Sequence, residues 1–63
     1  MSIILRIPDL GPDSMVQAER AVLVRALRAS GGHAETAAAL LGMGASTMYR
    51  KIVEHGITEE ERF

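Results

Sequence analysis

The stretch GGHAETAAALLGMGASTMYRKIVEHGI, residues 31–57, decides the fold. Gly31-Gly32 accepts the left-handed turn that stops a preceding helix. Ala34 to Leu41 then reads as a short helix, with His33 at its cap position. Its Ala37-Ala38-Ala39 run lets a neighbouring helix come close, and Leu40 and Leu41 are expected to anchor it in the core. Gly42 ends it and Met43 turns inward. Ala45 to His55 reads as another short helix, with Met48 and Ile52 four apart on its buried side and Val53 beside them. Gly56 supplies a closing left-handed cap, and Ile57 folds back against the last turn.

Working outward, Met15 to Ala29 reads as a longer helix, capped by Asp13 or Ser14, with Ser14-x-x-Gln17 fitting a capping box. Met15, Val22, Ala26 and Ala29 join Val16, Leu23 and Leu27 in a broad apolar stripe expected to face the core. Arg20, Arg25 and Arg28 are expected on the wet face, with Val24 among them. Further upstream, Ser2 to Ile7 reads as a strand that Pro8 ends. The chain offers it no second strand, so it must pair with a copy in another subunit, join a partner's sheet or stay a frayed arm. Downstream, Glu59, Glu60 and Glu61 read as a solvated, frayed tail. The fold class is therefore mainly α. An arm (1–13) leads into a three-helix domain (14–57) containing a helix-turn-helix, and an acidic tail (58–63) follows.

Composition narrows the function. The chain has 63 residues and no Cys, and its two His are too few for an ordinary zinc site. No cofactor is expected. A domain of this size buries only about 60% of the surface its unfolded chain exposes, and dimerisation is the remaining source of buried area. No apolar run approaches the roughly 18 residues of a membrane span. No signal peptide is read at the start, and the cytoplasm, at the nucleoid, is the expected compartment. Glu19 and Glu54 lack a second acid, and no phosphate loop or Ser-His-Asp set is present, so no enzyme activity and no small-molecule effector are expected. Net charge is −1, but its distribution is uneven. Residues 14–57 set Arg20, Arg25, Arg28, Arg50 and Lys51 against Glu19, Glu35 and Glu54, whereas the acid of the arm and tail lies outside them.

In a helix-turn-helix the second helix enters the major groove of double-stranded DNA, with its first residues against the base edges. Here that edge carries Ser46, Thr47, Arg50 and Lys51, with Tyr49 alongside. Thr47 and Ser46 can donate to a phosphate or a base, Arg50 can reach a guanine edge or a phosphate, and Lys51 suits phosphate. Around His33, the start of the preceding helix can offer N–H groups to another phosphate.

Residues 31–57, extending back through Glu19 and the longer helix, resemble the Fis-type helix-turn-helix. The matching points are the double-glycine stop, the Ala-Ala pair, Leu-Gly-apolar in the turn, Thr47-apolar-x-basic-Lys51-apolar and the closing Gly56-Ile57. The resemblance implies a homodimeric DNA-binding protein with its first helix in the dimer interface, acting in transcription control or DNA architecture. Thr47, Arg50 and Lys51 match the family's contact positions. His33 stands where the family often has Asn, Thr36 where it has a basic residue, and Gly44-Ala45 where it has Ser or Asn followed by Arg. Val53 and Glu54 replace commonly basic residues. Ala45 cannot make the guanine contact of that Arg, which is worth about 1–3 kcal/mol of discrimination. The expected function is a small homodimeric regulator, a repressor or autoregulator working by site occupancy. Two alternatives stand beside it. One is an interaction module that kept the fold without strong DNA binding. The other is a ribbon-helix-helix protein reading DNA with paired strands and Arg6.

Overall fold

The computed structural model describes residues 12–63, and the expected Ser2–Ile7 strand lies outside the described residues. Four helices follow in order: α1 (Pro12–Ala29), α2 (Ala34–Leu41), α3 (Ala45–Glu54) and α4 (Glu59–Arg62). No strand occurs among the described residues. The mainly α, helix-turn-helix architecture expected from the sequence is the one observed.

Helix α1 begins at Pro12, ahead of the expected Met15. Proline suits a first helical position because its missing N–H would have had no intrahelical partner there. Ser14 therefore lies within the first turn and is not the cap that the Ser14-x-x-Gln17 pattern implied. Helices α1, α2 and α3 stop in the same way. The residue after a left-handed glycine donates its N–H five residues back: Gly32 to Leu27 at 2.7 Å, Met43 to Ala38 at 2.9 Å and Ile57 to Ile52 at 3.0 Å. Each bond satisfies a carbonyl that the helix end would leave open. At Gly42 the turn fixes φ at 71°, where a Cβ would strain the backbone although the space around it is open. This stop sets the angle between α2 and α3.

Leu23, Ala26 and Leu27 of α1 meet Ala34, Ala37 and Ala38 of α2, Met48 and Ile52 of α3, and Ile57. The alanines give α2 no bulk of its own, so it packs on both α1 and α3. Met43 and Leu41 pack at the edge of this core, as does Val24, which was expected among exposed arginines.

The single broad core stripe expected on α1 is corrected. Met15, Val16 and Val22 are 69%, 54% and 50% exposed. The helix carries two ridges. Arg20, Leu23, Val24 and Leu27, at spacings of three and four, face the other helices, whereas Met15, Ala18, Val22 and Ala29 run along solvent. Leu40 likewise is no core anchor at 60% exposure, because α2 turns its alanine face inward. Val22, Arg25, Ala26, Leu40 and Leu41 line an open groove of about 380 Å³.

The acidic tail is not frayed. The Thr58 hydroxyl accepts from the Glu61 N–H at 3.3 Å, and the Glu61 carboxylate accepts from the Thr58 N–H at 3.0 Å, which closes a capping box around α4. Tertiary bonds hold the turn against α1. Arg20 Nη2 lies 2.7 Å from Glu61 Oε1, and Arg28 Nε donates to the Glu61 carbonyl at 2.7 Å. Arg62 donates to the Gly32 carbonyl, and the Phe63 ring lies where a Cβ on Gly32 would be. Arg20 and Arg28, expected as a wet face, thus form the seat of α4. The Arg20 bond, with the Thr58 N–H, draws the Glu61 pKa down to about 2, while the same bond raises that of Arg20.

Leu27→Ala should lower stability by about 2–5 kcal/mol. That is much of the roughly 3–9 kcal/mol expected of a chain this size. Leu40→Ala should stay within about 0.5 kcal/mol in the monomer. Urea unfolding followed by circular dichroism checks the pair, and equal losses would contradict the assigned core. Because the folded pKa of Glu61 is depressed, its contribution is complete above the ordinary carboxylate range and fades as pH falls toward about 2. An NMR titration should therefore find the Glu61 carboxyl carbon unshifted at pH 4, and an inflection near 4.5 would show that α4 is not held.

Candidate nucleic-acid interface

Helix α3 is positioned by its own buried side. Met48 is fully buried and Ile52 nearly so, which turns the opposite side of the helix outward. Gly44, in extended conformation, precedes the first turn, and that turn contains no acidic residue. The exposed N–H groups and the positive end of the helix dipole are therefore not opposed by a local carboxylate. Gly44 and Ser46 are exposed, and Ala45 and Thr47 are partly so. The small side chains leave the backbone of this turn accessible to another surface.

Beyond the first turn the charges are internally balanced. Arg50 is 63% exposed and its Nε lies 3.6 Å from Glu54 on the next turn. A pair this open and this long contributes little. Lys51 turns toward α1: its Nζ is 3.0 Å from Glu19 Oε2, and its side chain is 22% exposed. His55, one turn on, places Nε2 2.7 Å from the other oxygen of Glu19. These bonds hold the Glu19 pKa below its ordinary value, the His55 contact most strongly and Lys51 next.

Tyr49 is half-exposed, and its hydroxyl donates to Glu35 of α2 at 3.1 Å. That bond raises the tyrosine pKa, since ionisation would set two negative charges side by side. His33 is exposed and occupies the expected N-cap position of α2, although its side chain makes no capping bond. Its carbonyl instead accepts from the Ala37 N–H at 2.9 Å and from the Ser30 hydroxyl at 3.0 Å.

Ser46, Thr47 and Arg50 thus share the outward side of α3. Tyr49 bridges back to α2, and Lys51 lies against α1. Sequence reasoning missed the Glu19–Lys51–His55 cluster and the Tyr49–Glu35 contact. The i,i+4 spacing of Lys51 and His55 was a visible signal that both share a face, but nothing local pointed to Glu19, 32 and 36 residues away. Among the described residues there is no group of His, Asp or Glu suited to a metal ion, and no helix long and apolar enough to cross a membrane.

Two short helices joined by a glycine turn, the second presenting an acid-free first turn, define a helix-turn-helix of the DNA-binding regulatory class. Residues 14–55, two thirds of the chain, match the family described as "Bacterial regulatory protein, Fis family", and the chain belongs to that family. No curated protein and no solved structure matches it.

Tyr49 is the chain's one tyrosine and there is no tryptophan, so its ionisation can be followed by ultraviolet absorbance. The titration should lie above the ordinary value of about 10 and move back toward it in Glu35→Gln. Coincident curves would mean that the α2–α3 contact does not form.

Proposed function

We propose that the chain is a homodimeric transcriptional regulator that acts by occupying a DNA site, as a repressor or autoregulator. The observation that carries this reading is the outward, acid-free first turn of α3. Its exposed Ser46 and partly exposed Thr47 meet base edges or phosphates in the major groove, and Arg50 extends the contact one turn deeper. His33 and Tyr49 flank the groove at the start of α2 and beside α3, and Lys51 is a phosphate ligand. Ala45 contributes no base-specific hydrogen bond, so specificity falls on Thr47 and Arg50.

Support for the dimer comes from α1. Met15, Ala18, Val22 and Ala29 form an exposed apolar ridge along one helix, continuous with Leu40 across the open groove. Such a ridge in so small a domain is suited to burial against a second copy. In that dimer two α3 helices about 34 Å apart would meet successive major grooves on one face of the duplex. Few cations face outward, so binding should weaken only modestly with salt.

A second reading, a protein-interaction module with the same fold, is favoured by Val53. Expected beside Met48 and Ile52 on the buried side, it is instead 79% exposed on α3, where the family commonly has a basic residue, and Glu54 follows it.

Duplexes selected from a random pool and tested by gel shift discriminate the two readings. The regulator should bind with two chains per duplex. Arg50→Ala should weaken binding about 5- to 100-fold, the loss of one good base contact, with the circular dichroism spectrum unchanged. Selection of no duplex, or equal binding by Arg50→Ala, would favour the interaction module.

A further inference from the structure

Lys51 poses a problem that the DNA-binding reading leaves open. It is assigned to phosphate, yet it already has an oxyanion. Its Nζ sits 3.0 Å from Glu19 Oε2, and its side chain is about a third as exposed as that of neighbouring Arg50. Carboxylate and phosphate oxygens are alternative partners for one ammonium group, so Lys51 cannot give its full charge to both.

We propose that Glu19 is an internal competitor for Lys51, an affinity-setting residue that holds the lysine off DNA until a phosphate displaces it. This rests on the DNA-binding reading above. Three observations make the exchange feasible. Lysine carries its charge on a flexible four-carbon stem with three rotatable donors, so it can leave without moving α3. The carboxylate it leaves is not orphaned, because the 7% exposed side chain of His55 stays 2.7 Å from the other oxygen. Glu19 is itself 45% exposed, so water can replace the lysine at Oε2.

The neighbouring charges reinforce the arrangement. Arg20, next along α1, is committed to the His55 carbonyl at 3.2 Å and to Glu61 at 2.7 Å, so it does not compete for Glu19. Arg50 is offset by Glu54. Helix α3 thus meets DNA with Lys51 already paired and Arg50 only loosely so. Loose, sequence-independent contact gains little charge attraction from Lys51. A fitted complex that places a phosphate beside Lys51 gains one further ion contact. Glu19 therefore lowers affinity for random DNA more than for a fitted site.

The test uses the full chain and a random-sequence duplex, with affinity measured by fluorescence anisotropy between about 50 and 200 mM salt. Glu19→Gln should bind roughly three- to tenfold more tightly at the low-salt end, and the slope of log affinity against log salt should steepen by about 0.9, one more phosphate contact. In a Lys51→Ala background the same substitution should change neither quantity. Unchanged or weaker binding by Glu19→Gln overturns the proposal, as does an equal gain without Lys51, which would reduce the effect to overall charge. Absence of salt-sensitive binding in both wild type and Glu19→Gln overturns the DNA-binding reading along with it. NMR on the wild-type chain decides independently of any variant's folding. The Lys51 ε-methylene and Glu19 carboxyl signals should both move when a duplex selected for tight binding is added, and static signals in that complex would overturn the competition.

Discussion

The structure depends on the alanine face of α2. Ala34, Ala37 and Ala38 are almost wholly buried, and they carry so little volume that α1 and α3 can both close on the same eight-residue helix. Leu23 and Leu27 from one side and Met48 and Ile52 from the other supply the apolar bulk that α2 lacks. A larger residue at Ala37 would have to displace one of these side chains. The orientation of α3, and hence the face it offers to DNA, follows from that close approach and from the left-handed turn at Gly42.

The interface is consequently a by-product of packing on the opposite side. Burial of Met48 and Ile52 fixes which residues of α3 face out, and the glycine stop fixes where its first turn begins. The outward side chains of α3 contribute little to the core, so they can vary while the fold persists. Ala45 and Gly44 illustrate this: the turn they occupy is intact although they lack the base-contacting groups common in the family. Charge follows a different logic. Glu19, Glu54 and Glu61 each hold a cation, and the protein folds with much of its basic character internally matched.

The legible parts of the fold were the local ones. Both bounds of α2 and the start of α3 were readable because glycine stops act within a few residues. The inward and outward sides of α1 were not, because its sequence carries two apolar ridges and only tertiary contact decides which is covered. The order in the tail had a local signature, Thr58 three residues before Glu61, which the surrounding run of glutamates obscured. The outward placement of Ser46, Thr47 and Arg50 followed from helical periodicity. The diversion of Lys51 to Glu19 did not, since no pattern within α3 announces a partner on α1.

The most direct test of the central claim is a backbone NMR titration with a selected duplex. Amide signals from Ala45 to Arg50, together with those at the start of α2 around His33, should shift first and most. Those of α4 and of the Met15–Val22 ridge should stay near their free positions. Shifts concentrated on α4 or on that ridge, with the first turn of α3 unmoved, would contradict the account.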